Sequence, residues 1–234
     1  MRMAPLPETP ALSELDEWRE ILFLGPLKWA EVHRGDVVLV TDENVDDIAE
    51  VMGAVVTLVT HSFYYHALVY DHAWRFIHAY ATQVFADNIW DFYLKKTNVT
   101  LTWLRPRHAD PERIIGREET AAVVEFARKQ IGKPYDLWAN LAFLFRADGV
   151  SRVPDWLRTL FQNRNWLDDH GKWHCSELVG AAWWRACKVR FTDDMKSKTF
   201  LSPADISDSI YGDVVCSLKI RNGEYQLLTK QKDV

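Results

Sequence analysis

One cysteine and two histidines in this sequence have the residue types and surroundings for nucleophilic chemistry. Cys175 lies in the stretch Trp173-His174-Cys175-Ser176-Glu177-Leu178-Val179, just after the polar turn Asp168-Asp169-His170-Gly171. The apolar run behind it (Leu178, Val179, Ala181, Ala182, Trp183, Trp184, Ala186) has no proline and is too long for a strand, so it predicts a buried helix. A cysteine in a helix's first turn faces unpaired N–H groups and the positive end of the helix dipole, and both favour thiolate over thiol. The competing reading is one more small buried apolar residue. His66 and His78 lie in two β-rich runs around the polar turn Asp71-His72-Ala73, which is a hairpin signal. A hairpin centred on His72 sets the two histidines directly opposite on one face, with β-carbons about 4.5–5.5 Å apart. Two imidazoles at that separation can hydrogen-bond. A slip of one residue would send them to opposite faces.

The elements that must hold these groups can be read around them. Val37 to Val40, after the turn Arg34-Gly35-Asp36, predicts a buried strand. Val99 to Leu104 alternates apolar and polar residues and predicts another, closed by Arg105-Pro106-Arg107. Glu118 to Ile131 has helical spacing in Ala122, Val123, Phe126, Ala127 and Ile131, with Gly132 as its stop. Residues 82–94 read as a loop and short helix, 13–24 as a helix packed on the outside, and 48–59 as an apolar helix or strand. The acidic run 41–47 reads as a solvated loop or helix start, since it lacks metal-loop spacing. Two helices are expected between Leu137 and Trp166, a short one near Ser202 to Ile206, and strands around 214–220 and 224–228.

Composition narrows the class. The chain has 234 residues, 48% of them apolar, with eleven tryptophans, which is ample for one sizeable core. The net charge of −5 gives nucleic-acid binding no electrostatic support. No apolar run approaches membrane-spanning length, and residues 1–20 lack the pattern of a signal peptide. Cys175, Cys187 and Cys216 form neither a disulfide framework nor a metal knuckle and suit a reducing, cytoplasmic setting. Cys187 and Cys216 read as core residues.

Six stretches in order resemble the permuted NlpC/P60-type cysteine hydrolases, in particular the YiiX/YebB-like branch of the papain-like fold. They are Gly35-Asp36-Val37-Val38-Leu39, His66-Ala67-Leu68-Val69-Tyr70, Phe76-Ile77-His78-Ala79, Gly132-Lys133-Pro134-Tyr135-Asp136, Cys175-Ser176-Glu177-Leu178-Val179 and Leu201-Ser202-Pro203-Ala204-Asp205-Ile206. They span about residues 34–210, and His before Cys is the permuted order. Leu68 stands where the family often has glycine, and His78 where it often has glutamate.

The resemblance implies an α+β papain-like fold, with a small antiparallel sheet or barrel packed on the cysteine helix. It implies an arm and helix over 1–30, one catalytic domain over 31–234, and a helical insertion at 137–172. It implies hydrolysis of an amide, in a peptidoglycan-type peptide or another small acylated substrate, with no cofactor. Cys175 would be the nucleophile, His66 its base and His78 the residue that orients His66. The Cys175 backbone N–H would stabilise the oxyanion. Tyr135 would supply a second donor or shape the pocket, with a core tyrosine closing a turn as the equal alternative. Lipid acyl transfer ranks second, given the polar end Lys230-Gln231-Lys232-Asp233-Val234. A binding module with a vestigial site is the third class. His66, His78 and Cys175 could also hold zinc with an open position, but no close HxxxH or CxxC spacing supports it.

Overall fold

A computed structural model describes residues 32–42, 63–72, 75–89, 93, 98–136, 171–192, 201–209, 211–221 and 224–229. The expected arm and helix at 1–30, the segment 48–59 and the insertion up to residue 170 lie outside them.

Among the described residues the chain forms seven strands and three helices. The strands are β1 (Val37–Asp42), β2 (His66–His72), β3 (Arg75–Tyr80), β4 (Gln83–Asn88), β5 (Asn98–Pro106), β6 (Gly212–Arg221) and β7 (Glu224–Thr229). The helices are α1 (Arg117–Arg128), α2 (Cys175–Cys187) and α3 (Pro203–Ser207). All strands join one sheet in the order β4-β3-β2-β1-β5-β6-β7, every neighbouring pair antiparallel. This linear order makes the molecule a sheet rather than a closed barrel among the described residues. The expected mixed α+β architecture with an antiparallel sheet is present.

Alternation along the strands sorts the side chains onto two faces. Val37, Leu39, Ala67, Val69, Ile77 and Ala79 share one buried cluster with Val123, Val124 and Ala127 of α1 and Leu178, Val179, Ala182 and Trp183 of α2. Val38, Val40, Leu68, Phe76, Leu101, Trp103, Leu218 and Ile220 form a second cluster on the other face. Each large apolar side chain so buried stabilises by roughly 1.5–3 kcal/mol. The central strand β1 enters through Gly35, at φ +93°, where an added β-carbon would meet Thr120 at 3.1 Å. The turn therefore needs glycine.

Several expectations are adjusted. Within the expected loop and short helix at 82–94, residues 83–88 are instead the edge strand β4; past it Ile89 is helical and its carbonyl accepts from the Tyr93 N–H. The alternation of β4 is weak because only Val84 is fully buried. The strand β1 runs on through Thr41 and Asp42 into the acidic run. The helix predicted to reach Ile131 ends at Arg128. Beyond it, Gln130 and Ile131 donate to the carbonyls of Ala127 and Arg128, and the chain turns at Gly132, at φ +84°.

Two of the six stretches do structural work. The Asp36 carboxylate accepts from Arg105 Nε and Nη2 at 3.1 and 3.0 Å and from the His33 N–H at 2.7 Å. Ser202 and Asp205 form a reciprocal cap on α3: the Asp205 N–H donates to Ser202 Oγ and the Ser202 N–H to Asp205 Oδ2.

Candidate functional site: a cysteine, two linked histidines and a carboxylate

His66 begins β2 and His78 lies in β3, both buried, at 3% and 0% exposure. His66 Nε2 and His78 Nδ1 are 2.8 Å apart, a hydrogen bond between the rings. The expected contact is present, but the expected register is not. The strands pair Val69 with Ile77 and Tyr70 with Phe76, and a bulge separates Tyr70 from His72. Carried along the strands, that register sets His66 opposite Tyr80 and His78 opposite Leu68. The register differs from expectation by two residues, because β2 runs on through Asp71 and His72 and the bulge takes up the extra length. A shift of two keeps each side chain on its face. The histidines are therefore diagonal neighbours, still within reach of one another.

The far nitrogen of His78 is also engaged. His78 Nε2 lies 2.8 Å from Asp87 Oδ2 on β4. The β3–β4 register places Asp87 opposite Phe76 and His78 opposite Phe85, so Asp87 is the diagonal partner of His78 on the same face. Phe76 meets the His78 ring edge-on at 5.0 Å, and Tyr80 stacks on it at 5.7 Å. Tyr80 also meets the His66 ring edge-on at 5.4 Å. Asp87 is not among the residues the sequence singles out, because residues 82–94 read as a loop and short helix. The signal that could have found it is the run Gln83 to Asn88 read as a third strand, which brings a carboxylate back over the second histidine.

Cys175 is the first residue of α2, behind His174 in extended conformation. Its thiol is 3.7 Å from Ser176 Oγ. Burial pushes the thiol's pKa up from its ordinary value. Hydrogen bonds from the Ser176 hydroxyl and from the backbone N–H groups of Ala67, Ser176 and Cys175 oppose the rise without cancelling it. The expectation that the helix start lowers this pKa is thus reversed, because lost hydration of the thiolate outweighs the donors gathered around it. The Ala67 N–H places the thiol against β2, one residue from His66. No hydrogen bond joins Cys175 to His66 among the described residues; the thiol's side-chain partner is Ser176.

The segment Gly132 to Asp136 ties these parts together. The Gly132 N–H donates to Val84 O, the Val84 N–H to Lys133 O and the Tyr135 N–H to Thr82 O. The Trp173 N–H then donates to Pro134 O and the Asp136 N–H to Trp173 O. The residues leading into Cys175 are thereby stitched to β4. Tyr135 is half-buried, and it packs against the cluster under α2. These contacts fit a tyrosine closing a turn. Cys187 ends α2 and Cys216 lies in β6, both buried; burial pushes the Cys187 thiol up to about 12.

Burial holds the pKa of His66 well below its usual range, and the neighbouring His78 adds to this. Burial lowers that of His78 too, against the opposing pull of Asp87. Both rings are neutral in the fold near neutral pH, while the unfolded chain takes up protons below about pH 6.5. The pair's contribution to stability is therefore intact above that pH and is lost as pH falls toward the depressed folded values. Unfolding midpoints at pH 7.5 and pH 5.0 are expected to fall further for the natural chain than for a His66→Gln/His78→Gln variant. Equal falls would remove these histidines from the pH dependence.

No family model matches the chain, and no curated protein matches it. Among solved structures it is similar to the crystal structure of the metalloprotein yiiX from Escherichia coli O157:H7, DUF1105. The TM-score is 0.48 and the identity 16%, over 79% of this chain and 97% of that one. Likeness at that level carries neither activity nor metal binding to this chain. Among the described residues, no helix is long and apolar enough to cross a membrane, and no group of three or more His, Cys, Asp or Glu side chains converges as a metal site.

Proposed function

We propose that the chain is a cysteine hydrolase of permuted papain-like type that cleaves an amide bond, in a peptidoglycan-type peptide or another small acylated substrate. The observation that carries this reading is the His66–His78 hydrogen bond, 2.8 Å between β2 and β3, with the Ala67 N–H of β2 among the groups that favour the Cys175 thiolate. His66 takes the thiol proton as sulfur attacks the carbonyl carbon. The Cys175 backbone N–H faces the oxyanion, and His66 returns the proton to the departing amine. Water then cleaves the thioester with the same base. Both nitrogens of His78 are engaged within the protein, so it orients His66 and does not touch substrate. The resting thiol faces Ser176, and catalytic hydrogen bonds of unliganded enzymes commonly tighten only with substrate bound.

The raised thiol pKa and neutral His66 imply a resting thiol–imidazole pair and not a preformed ion pair. Iodoacetamide labelling of Cys175 is therefore expected to be slow at neutral pH, to quicken as pH rises, and to run ahead of Cys187. Amide cleavage is expected to survive a chelator and to stop once Cys175 is alkylated. Cleavage lost to the chelator and restored by zinc would favour the metal reading. A Cys175 that stays unlabelled in the active folded protein would remove it as nucleophile.

A further inference from the structure

We propose that Asp87 is a positioning residue that sets the proton on both histidines and thereby makes Nδ1 of His66 the basic atom. The proposal rests on the thiol-hydrolase reading and names a part that reading did not contain.

An ionised carboxylate can only accept, and a neutral imidazole carries one N–H and one lone pair. Asp87 Oδ2 at 2.8 Å from His78 Nε2 therefore holds the His78 hydrogen on Nε2. That leaves His78 Nδ1 with its lone pair, facing His66 Nε2 at 2.8 Å. His66 must then carry its hydrogen on Nε2, and its lone pair falls on Nδ1. Burial keeps both rings neutral, so one carboxylate dictates two tautomers in series. Without Asp87 the chain can run backwards: His78 donates from Nδ1 to His66 Nε2. His66 then holds its hydrogen on Nδ1 and has no lone pair there for the thiol.

Placement separates this role from plain packing. Asp87 lies on β4 at the end of the sheet, its side chain 34% exposed, whereas its partner His78 is fully buried. The contact is a hydrogen bond from a neutral ring to a half-buried carboxylate, not an ion pair. The half-buried end of the hydrogen-bonded chain holds the buried end in one state. The same logic covers the reaction itself. When Nδ1 of His66 gains the sulfur-bound proton, the S–H bond breaks and an N–H bond forms. The new positive charge then lies two hydrogen bonds from the Asp87 carboxylate.

The test reads the tautomers directly, by nitrogen-15 spectra of histidine-labelled protein at neutral to mildly alkaline pH. In the natural chain both His66 and His78 are expected as the Nε2–H form. In Asp87→Ala, His66 is expected as a mixture of the two forms, with kcat/KM lowered by about 10²-fold, less than the roughly 10⁴-fold seen where an orienting carboxylate touches the base itself. His66 carrying its hydrogen on Nδ1 in the natural chain would overturn the proposal, even if the variant failed to fold. So would an Asp87→Ala variant whose tautomers were unchanged. These readings need no turnover. An inert natural chain with the expected tautomers would sink only the hydrolase reading, and an active one whose tautomers ignore Asp87 would sink only this one.

Discussion

On the proposed function, Cys175→Ala is expected to reduce cleavage of small peptide amides to background, a loss on the order of 10⁶-fold, the size found for nucleophiles of covalent hydrolases. His66→Ala is expected to fall to the same floor, because a thiol whose pKa is raised by burial depends on a base to ionise at all. His78→Ala loses less and His78→Gln less again, since glutamine can still offer His66 one hydrogen bond. Groups acting as one unit are strongly non-additive. The double change His66→Ala/His78→Ala is therefore expected to be little worse than His66→Ala alone. Steady-state kinetics on the purified variants checks the series. A Cys175→Ala protein retaining more than about one hundredth of the activity would place the nucleophile elsewhere.

The largest expected effect on stability comes from Trp183→Ala, about 3–5 kcal/mol. The Trp183 side chain is almost wholly buried between α2 and the sheet, and its indole N–H donates to Gly35 O at 3.2 Å. The indole thus fastens the helix that begins with Cys175 to the turn that opens the central strand β1. Trp183→Phe keeps most of the packing but leaves the Gly35 carbonyl without that donor, and is expected to cost about 1–3 kcal/mol. Chemical denaturation measures both. A cost below about 1 kcal/mol for the alanine variant would contradict the packing described.

What the sequence disclosed and what it hid divide along physical lines. Strands β1, β2, β3 and β5 announce themselves by β-branched or alternating runs, and α2 by an unbroken apolar stretch, because each is buried on at least one face. The edge strand β4 has one fully buried residue, so its pattern carried no such signal, and Asp87 went unseen with it. The His66–His78 contact was legible because it depends on the face each residue takes. The hairpin register was not, because the bulge after Tyr70 depends on local backbone geometry that side-chain pattern does not encode. The raised pKa of Cys175 was hidden for a third reason. The helix start is visible in sequence, but how deeply tertiary packing dehydrates the thiol is not.

The order of the chain also bears on how the site assembles in time. His66, His78 and Asp87 sit on three successive strands, β2, β3 and β4, joined by short connections, whereas the cysteine arrives on α2, far along the chain. Contacts between near neighbours close small loops and form early, while distant ones close large loops and form late. The two histidines and Asp87 are therefore expected to be in place before Cys175 docks against β2, so a nascent or partly refolded chain would hold a finished histidine pair without the thiol. Destabilising changes in α2 would then speed unfolding more than they slow folding. The proposed hydrolysis would be the last property to return on refolding, after the hairpins have already formed.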